Sequence, residues 1–207
     1  MNNSNSHIIQ VYNSRKNLLE ILETRGFNTS SYNNFSISEI GILTEQDQLD
    51  MLLEDSNNKK IYVKYYINKV IKPPNVYSII EDLFYLENIL TKKDDLMIIV
   101  KDEPNDTLVQ TIKDIWMQDS IYTSTINIKR LQFNILNHVL VPKHSILSKP
   151  EEIEFKKKFN ILDNNIPDIS YFSPVSLVLG IRPNDIVKIE RKSRTAIKAD
   201  FYRICKL

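Results

Sequence analysis

Strands alternating with amphipathic helices over residues 1–137 predict an α/β domain, with helices around a small sheet. Two β-rich segments close residues 138–207 and predict a small α+β domain built on a terminal hairpin. Neither half carries the fingerprint G-x-G-x-x-G or a P-loop, which argues against a nucleotide-binding doubly wound domain.

The polar start, Met1 to Ser6, reads as a disordered tail and lacks the apolar core of a signal peptide. Ile8, Val11, Tyr12, Leu18, Leu19 and Leu22 then recur at helical steps, and Gly26 stands where a helix C-cap belongs. Residues 28–34 are Asn/Ser-rich and predict a loop. Thr44-Glu45-Gln46-Asp47 resembles a capping box, so a short helix is expected through Leu49, Leu52 and Leu53. Asn57-Asn58 marks a turn, and residues 61–66 are rich in strand formers. Pro73-Pro74 ends that strand. A helix follows with Val76, Ile79, Ile80, Leu83, Leu86 and Leu90 on one face. Residues 96–100 form a continuous apolar run, as in a strand buried on both faces. Pro104-Asn105-Asp106 opens a helix carrying Leu108, Ile112, Ile115 and Trp116, and residues 121–128 predict one more strand.

In the second domain Ser148-Lys149-Pro150-Glu151 combines a capping box with a first-turn proline, predicting a helix to about Phe159. Residues 166–169 read as extended, and Ser173-Pro174 starts a short helix ending at Gly180. Residues 186–189 and 199–204 are the two strands of the hairpin.

Composition narrows the function. The net charge is +1, so any DNA contact must come from a local patch or a partner. One cysteine, Cys205, cannot form an internal disulfide, and a reducing compartment is expected. No apolar run approaches the roughly 20 residues of a membrane span, so no membrane partner is expected. The abundance of Ile, Asn and Lys reads as the composition of an AT-rich genome.

Candidate chemistry is sparse. His138 and His144 lack the further ligands that zinc needs, so no metal or other cofactor is expected. Cys205 has no histidine nearby in sequence and reads as structural. Asp94-Asp95, Asp102-Glu103 and Glu151-Glu152 fall at predicted loops or helix starts, where acids are ordinary. Nuclease-like acid-x-Lys spacings occur at Glu154-Phe155-Lys156, on a predicted helix, and at Glu190-Arg191-Lys192, where the hairpin is expected to turn; neither context suits catalysis. Basic residues cluster at 156–158, 188–194 and 198–203. For the last two clusters, the residues alone leave a protein partner, nucleic acid and plain solubility equally open.

One resemblance separates them. Leu140-Val141-Pro142-Lys143-His144, Pro174-Val175 with Gly180, and Val187-Lys188-Ile189 with Arg191, Ser193, Thr195-Ala196 and Tyr202-Arg203 are similar to the assembly domain of the fifth common subunit of eukaryotic and viral DNA-dependent RNA polymerases. The archaeal counterpart of that subunit has this domain alone. Arg15-Lys16, Arg25-Gly26-Phe27, and the 96–100 run with Pro104 resemble the family's N-terminal jaw. Ser173, Pro183-Asn184-Asp185 and Arg194 depart from its pattern, as does Glu103-Pro104-Asn105-Asp106, where only the proline is kept. Asn184 suits the altered turn, because Asn tolerates left-handed backbone better than most residues.

The resemblance implies a non-catalytic polymerase subunit with a jaw over 1–137 and an assembly domain over 138–207. The assembly domain would dock on the largest subunit, beside other subunits, through Pro142, Lys143, His144, Lys188, Arg191, Ser193, Thr195, Ala196, Tyr202 and Arg203. Pro104 and Asn105 would be the part of the jaw nearest downstream duplex DNA. A cellular copy would work in the nucleus; a copy from a large DNA virus would work in cytoplasmic factories and be packaged in virions. The other readings are a free-standing DNA-binding module and an enzyme with a degenerate nuclease-like jaw.

Overall fold

The computed structural model describes residues 2–193 and 195–207. The chain divides into two compact units, Met1–Asn134 and Ile135–Leu207, which meet shortly before the boundary expected after residue 137.

The first unit opens with helix α1 (Asn2–Thr24), so the expected disordered tail is helical from Asn2. Val11, Leu18, Ile21 and Leu22 form its fully buried stripe. Gly26 takes φ +93° and lets the chain reverse, with its N–H donating to Glu23 O and the Phe27 N–H to Leu22 O. Helix α2 (Ile37–Glu45) is started by Ser36, whose hydroxyl accepts from Glu39 N while the Glu39 carboxylate takes the Ser36 N–H. The capping box expected at Thr44 to Asp47 therefore falls at the end of a helix, not its start. The segment after it is strand β1 (Met51–Glu54), not a helix. Met51 and Leu53 are buried while Leu52 and Glu54 are exposed, so period two overrode the helical spacing of Leu49, Leu52 and Leu53.

Strand β2 (Lys60–Tyr66) pairs antiparallel with β1 across the Asn57-Asn58 turn, where Asn58 takes φ +59°. Helix α3 (Pro73–Ile80) has its prolines in the first turn and runs into a π-helical stretch, Glu81–Leu86. The wider π turn breaks the α spacing, which leaves Leu86 exposed although its helical spacing predicts the buried face. Strand β3 (Asp95–Val100), helix α4 (Asp106–Asp119) and strand β4 (Tyr122–Asn127) complete the unit. The sheet order is β1-β2-β3-β4, with β2, β3 and β4 parallel. Every residue of β3 and β4 is buried, as a parallel sheet covered on both faces requires.

Asp94 and Asp95 are buried, unlike ordinary loop acids. Asp95 lies 2.7 Å from Arg25 Nη2 and 2.8 Å from Lys59 Nζ. Gly26 thus turns the chain so that Arg25, from the end of α1, meets the start of β3. Burial pushes the Asp94 carboxyl up, but donors from Lys60 N, Thr91 Oγ1 and Thr91 N together hold it below its ordinary value.

The second unit contains β5 (Lys143–Ile146), α5 (Lys149–Phe159), β6 (Asp168–Ser170), α6 (Pro174–Leu179), β7 (Ile186–Ser193) and β8 (Ile197–Lys206). Its sheet runs β5-β7-β8-β6, with β5 as an edge strand where the sequence predicts only a connection. Ser148 and Glu151 cap α5 reciprocally, and Gly180 closes α6 at φ +71°. Phe155 of α5 packs with Ile166, Ile186 and Ile204, and its ring centroid is 4.1 Å from that of Tyr202. Asn184 takes φ +72°, the left-handed geometry that makes asparagine suitable in this turn. The Asp185 carboxylate accepts from Arg182 N at 2.9 Å and fastens the same turn.

Candidate functional site

The sheet register of the second unit sorts the candidate residues. Strand alternation places His144, Arg191 and Arg203 on one face and Lys143, Lys188 and Tyr202 on the other. Glu190-Arg191-Lys192 lies inside β7, so the expected turn there is displaced to the hairpin end beyond Ser193.

Five candidates serve the domain itself. Tyr202 is part of the core under α5. Lys188 Nζ is 2.9 Å from Asp200, which holds its ammonium above the ordinary value through that hydrogen bond. Arg203 Nη1 donates to Asp168 O at 2.6 Å. Ser193 Oγ accepts from Thr195 N and Ala196 N, so Ser193 and Thr195 close the hairpin. Ala196 is exposed on the same turn. The reversed charge at Arg194 lies outside the described residues.

Four candidates gather beside β5. Pro142, Lys143 and Arg191 line an open groove of about 580 Å³, with His144 next to them on the edge strand. Lys143 and Arg191 are exposed. The Arg191 guanidinium sits 4.8 Å from the Phe201 ring centroid, which steadies it without neutralising it. His144 Nδ1 lies 2.7 Å from Pro142 O. Burial lowers the His144 pKa, nearby Arg191 lowers it further, and the contact to Pro142 opposes both.

Val139 and Leu140 complete the groove wall and are 89% and 83% exposed. Sequence reasoning does not single them out as site residues. The available signal is an apolar triplet, Val139-Leu140-Val141, outside any helical or strand period. Ile197 at the hairpin end and Phe201 beneath Arg191 extend the exposed apolar surface. Adjacent apolar and cationic side chains suit recognition of another protein.

Cys205 is fully buried, and burial pushes its thiol up to about 12, which keeps it out of thiolate chemistry. Among the described residues no three acidic, histidine or cysteine side chains gather in a way that would hold a metal.

In the first unit, Asn105 Oδ1 accepts from Leu108 N at 2.9 Å and caps α4, while Pro104 is half-buried before it. Glu103 pairs with Arg130 at 2.8 Å. The Pro104–Asn105 pair therefore starts a helix and presents no unpaired cation of its own.

The family model for RNA polymerase Rpb5, C-terminal domain, matches residues 133–205, which include the whole β5-β7-β8-β6 hairpin sheet up to Cys205. The subunit Rpo5 of the DNA-directed RNA polymerase of Thermococcus kodakarensis is 44% identical over 73 residues, 35% of this chain and 89% of that protein. Its counterpart in Archaeoglobus fulgidus is 43% identical over 74 residues, 36% of this chain and 97% of that protein. The subunit rpabc1 of RNA polymerases I, II and III of Dictyostelium discoideum is 25% identical over 192 residues, 92% of this chain and 94% of that protein. The family-model match covers the second unit, while the Dictyostelium likeness, over 92% of the chain, runs through both. With nearly all of an archaeal subunit matched at this identity, the chain belongs to the Rpb5/Rpo5 family of accessory, non-catalytic subunits of DNA-directed RNA polymerases.

Proposed function

We propose that the second unit docks the chain on the largest subunit of its polymerase, and that the first unit lies as a jaw beside downstream duplex DNA during transcription. The observation that carries the docking is the groove at β5, where nearly bare Val139 and Leu140 meet the exposed cations Lys143 and Arg191. Apolar anchors beside an arginine held over an aromatic ring suit an interface whose partner offers an apolar ridge flanked by carboxylates. Pro142, Lys143, His144 and Arg191 are the contacts we assign to it. Lys188, Ser193, Thr195, Tyr202 and Arg203 act by building the hairpin that presents them.

The jaw needs little charge of its own. The first unit is net acidic, with 14 Lys and Arg against 18 Asp and Glu over residues 1–134, so it guides a duplex only through a few local phosphate contacts, for which tethering on the enzyme supplies the local concentration. The chain works where its polymerase works: the nucleus for a cellular copy, cytoplasmic factories and virions for a copy from a large DNA virus.

Capture of the polymerase by the tagged full-length chain tests the docking. Leu140→Asp combined with Arg191→Glu should lower recovery of the largest subunit about tenfold or more, since losing an anchor and reversing a charge together cost at least about 1.4 kcal/mol. Undiminished capture by the folded variant sinks this surface. A photo-crosslinker at Asn105 tests the jaw: no crosslink to downstream DNA in a transcribing complex counts against it.

A further inference from the structure

Arg15 of α1 is only 3% exposed, yet it has no acidic partner at ion-pairing distance among the described residues. Its Nη1 donates to Leu49 O at 2.7 Å. The guanidinium carbon lies 5.5 Å from the Tyr32 ring centroid and 5.4 Å from that of Phe35. Its Nε is buried and has no hydrogen-bond acceptor among the described residues. Arg25, just beyond the same helix and with its side chain 7% exposed, has Asp95 at 2.7 Å. Burial disfavours its charge, Asp50 offsets this only through space and without an ion pair, and a guanidinium edge matches the two oxygens of a carboxylate.

A cavity of about 240 Å³ opens at this position, with Tyr12, Arg15, Lys16, Tyr32, Asn33 and Phe35 in its wall. That volume suits one acidic side chain or a small free acid and falls below the range of about 300–1,000 Å³ typical of larger ligands. Lys16 is exposed and adds a second positive charge at the wall. The Asn33 amide already donates to Thr29 Oγ1 at 3.0 Å, so few further donors remain for an oxyanion with more than two oxygens to satisfy.

We propose that this cavity binds a compact carboxylate through the Arg15 guanidinium, beside the Tyr32 and Phe35 rings. The carboxylate comes either from a Glu or Asp side chain of a neighbouring protein or from a small free acid, and the two sources share this chemistry. The site belongs to the first unit and the docking groove to the second, and its test does not depend on polymerase binding.

The test follows the arginine Nε–H resonances of the ¹⁵N-labelled full chain at constant ionic strength. The probes are acetyl-Gly-Glu-Gly-amide, succinate and inorganic phosphate. A saturable shift of the Arg15 Nε–H is expected with a carboxylate probe at millimolar concentration, with phosphate about tenfold weaker. The tighter of the peptide and succinate identifies the source. Arg15→Lys should weaken binding about tenfold, because the planar edge is lost while the charge is kept. Lys16→Glu, at an exposed position that spares the fold, should weaken it about threefold. No saturation by either carboxylate, phosphate binding as tight as theirs, or an unchanged titration in Lys16→Glu overturns the proposal.

Discussion

Replacing Asp95 with asparagine isolates the ion network that joins α1 to the sheet. Asp95 is fully buried between Arg25, whose side chain is 7% exposed, and Lys59, whose side chain is 32% exposed. At an effective dielectric of about 20, each contact near 2.8 Å is worth roughly 6 kcal/mol before desolvation is subtracted. The net effect is smaller, and removing one member of a buried pair typically costs about 3–5 kcal/mol because it strands the other charge. Lys59 can swing to water, whereas Arg25 cannot, and Arg25 Nη1 is already buried without a partner among the described residues. Asp95→Asn should therefore destabilise the first unit by about 3–4 kcal/mol, and Lys59→Met by no more than about 1 kcal/mol. Adding Arg25→Met to Asp95→Asn should recover about 2 kcal/mol, since no stranded cation remains. Trp116 is the single tryptophan and lies on α4 of the first unit, so its fluorescence in urea follows that unit alone. A cost below about 1 kcal/mol for Asp95→Asn, or one no larger than that of Lys59→Met, would falsify this account.

Other perturbations test separate links. Ser36→Ala removes the hydroxyl half of the α2 capping box, keeping the backbone N–H bond to Glu39, and should cost the first unit about 1 kcal/mol by the same fluorescence measurement. Phe155→Ala empties the space between α5 and the hairpin and should cost the second unit about 3–5 kcal/mol, read by hydrogen exchange in β7 and β8. Burial raises the Asp185 carboxyl, with nearby Glu152 adding to the rise while Arg182 N and Lys149 oppose it. The folded second unit therefore binds that proton more tightly than the unfolded chain. Stability from this group is present below the ordinary carboxylate value of 3.8 and is lost as pH rises through the higher folded value. Asp185→Asn should remove that fall, seen as a wild-type minus variant difference that grows across this acid window. His144 should titrate below 6.5 in a proton NMR titration, and Arg191→Ala should move its midpoint upward; a static midpoint would contradict their closeness.

Much of the architecture is legible because local rules and tertiary demands agree. The run at 96–100 is apolar throughout, which suits only a strand covered on both faces, and β3 is that strand. Ser148 with Glu151, Asn105 before α4, and Gly180 after α6 each carry end chemistry that works without distant partners. Residues 44–54 mislead because Leu49, Leu52 and Leu53 satisfy helical spacing while Met51 and Leu53 satisfy strand spacing. Pairing with β2 decides between the two periods. The Asp94-Asp95 pair is equally opaque, since the partners of Asp95 come from positions 25 and 59.

For the candidate site, the sequence by itself determined the family resemblance, the terminal hairpin and the residues that belong to it. Tertiary structure alone decided their roles, because a β register sends neighbouring side chains to opposite faces and α5 covers only one of them. Tyr202 went to the core, and Arg203 is engaged by Asp168 O. Arg191 stayed exposed over Phe201, beside the bare Val139 and Leu140. Which charges are satisfied inside a domain and which remain for a partner depends on distances between residues far apart in the chain, and only the folded sheet sets those distances.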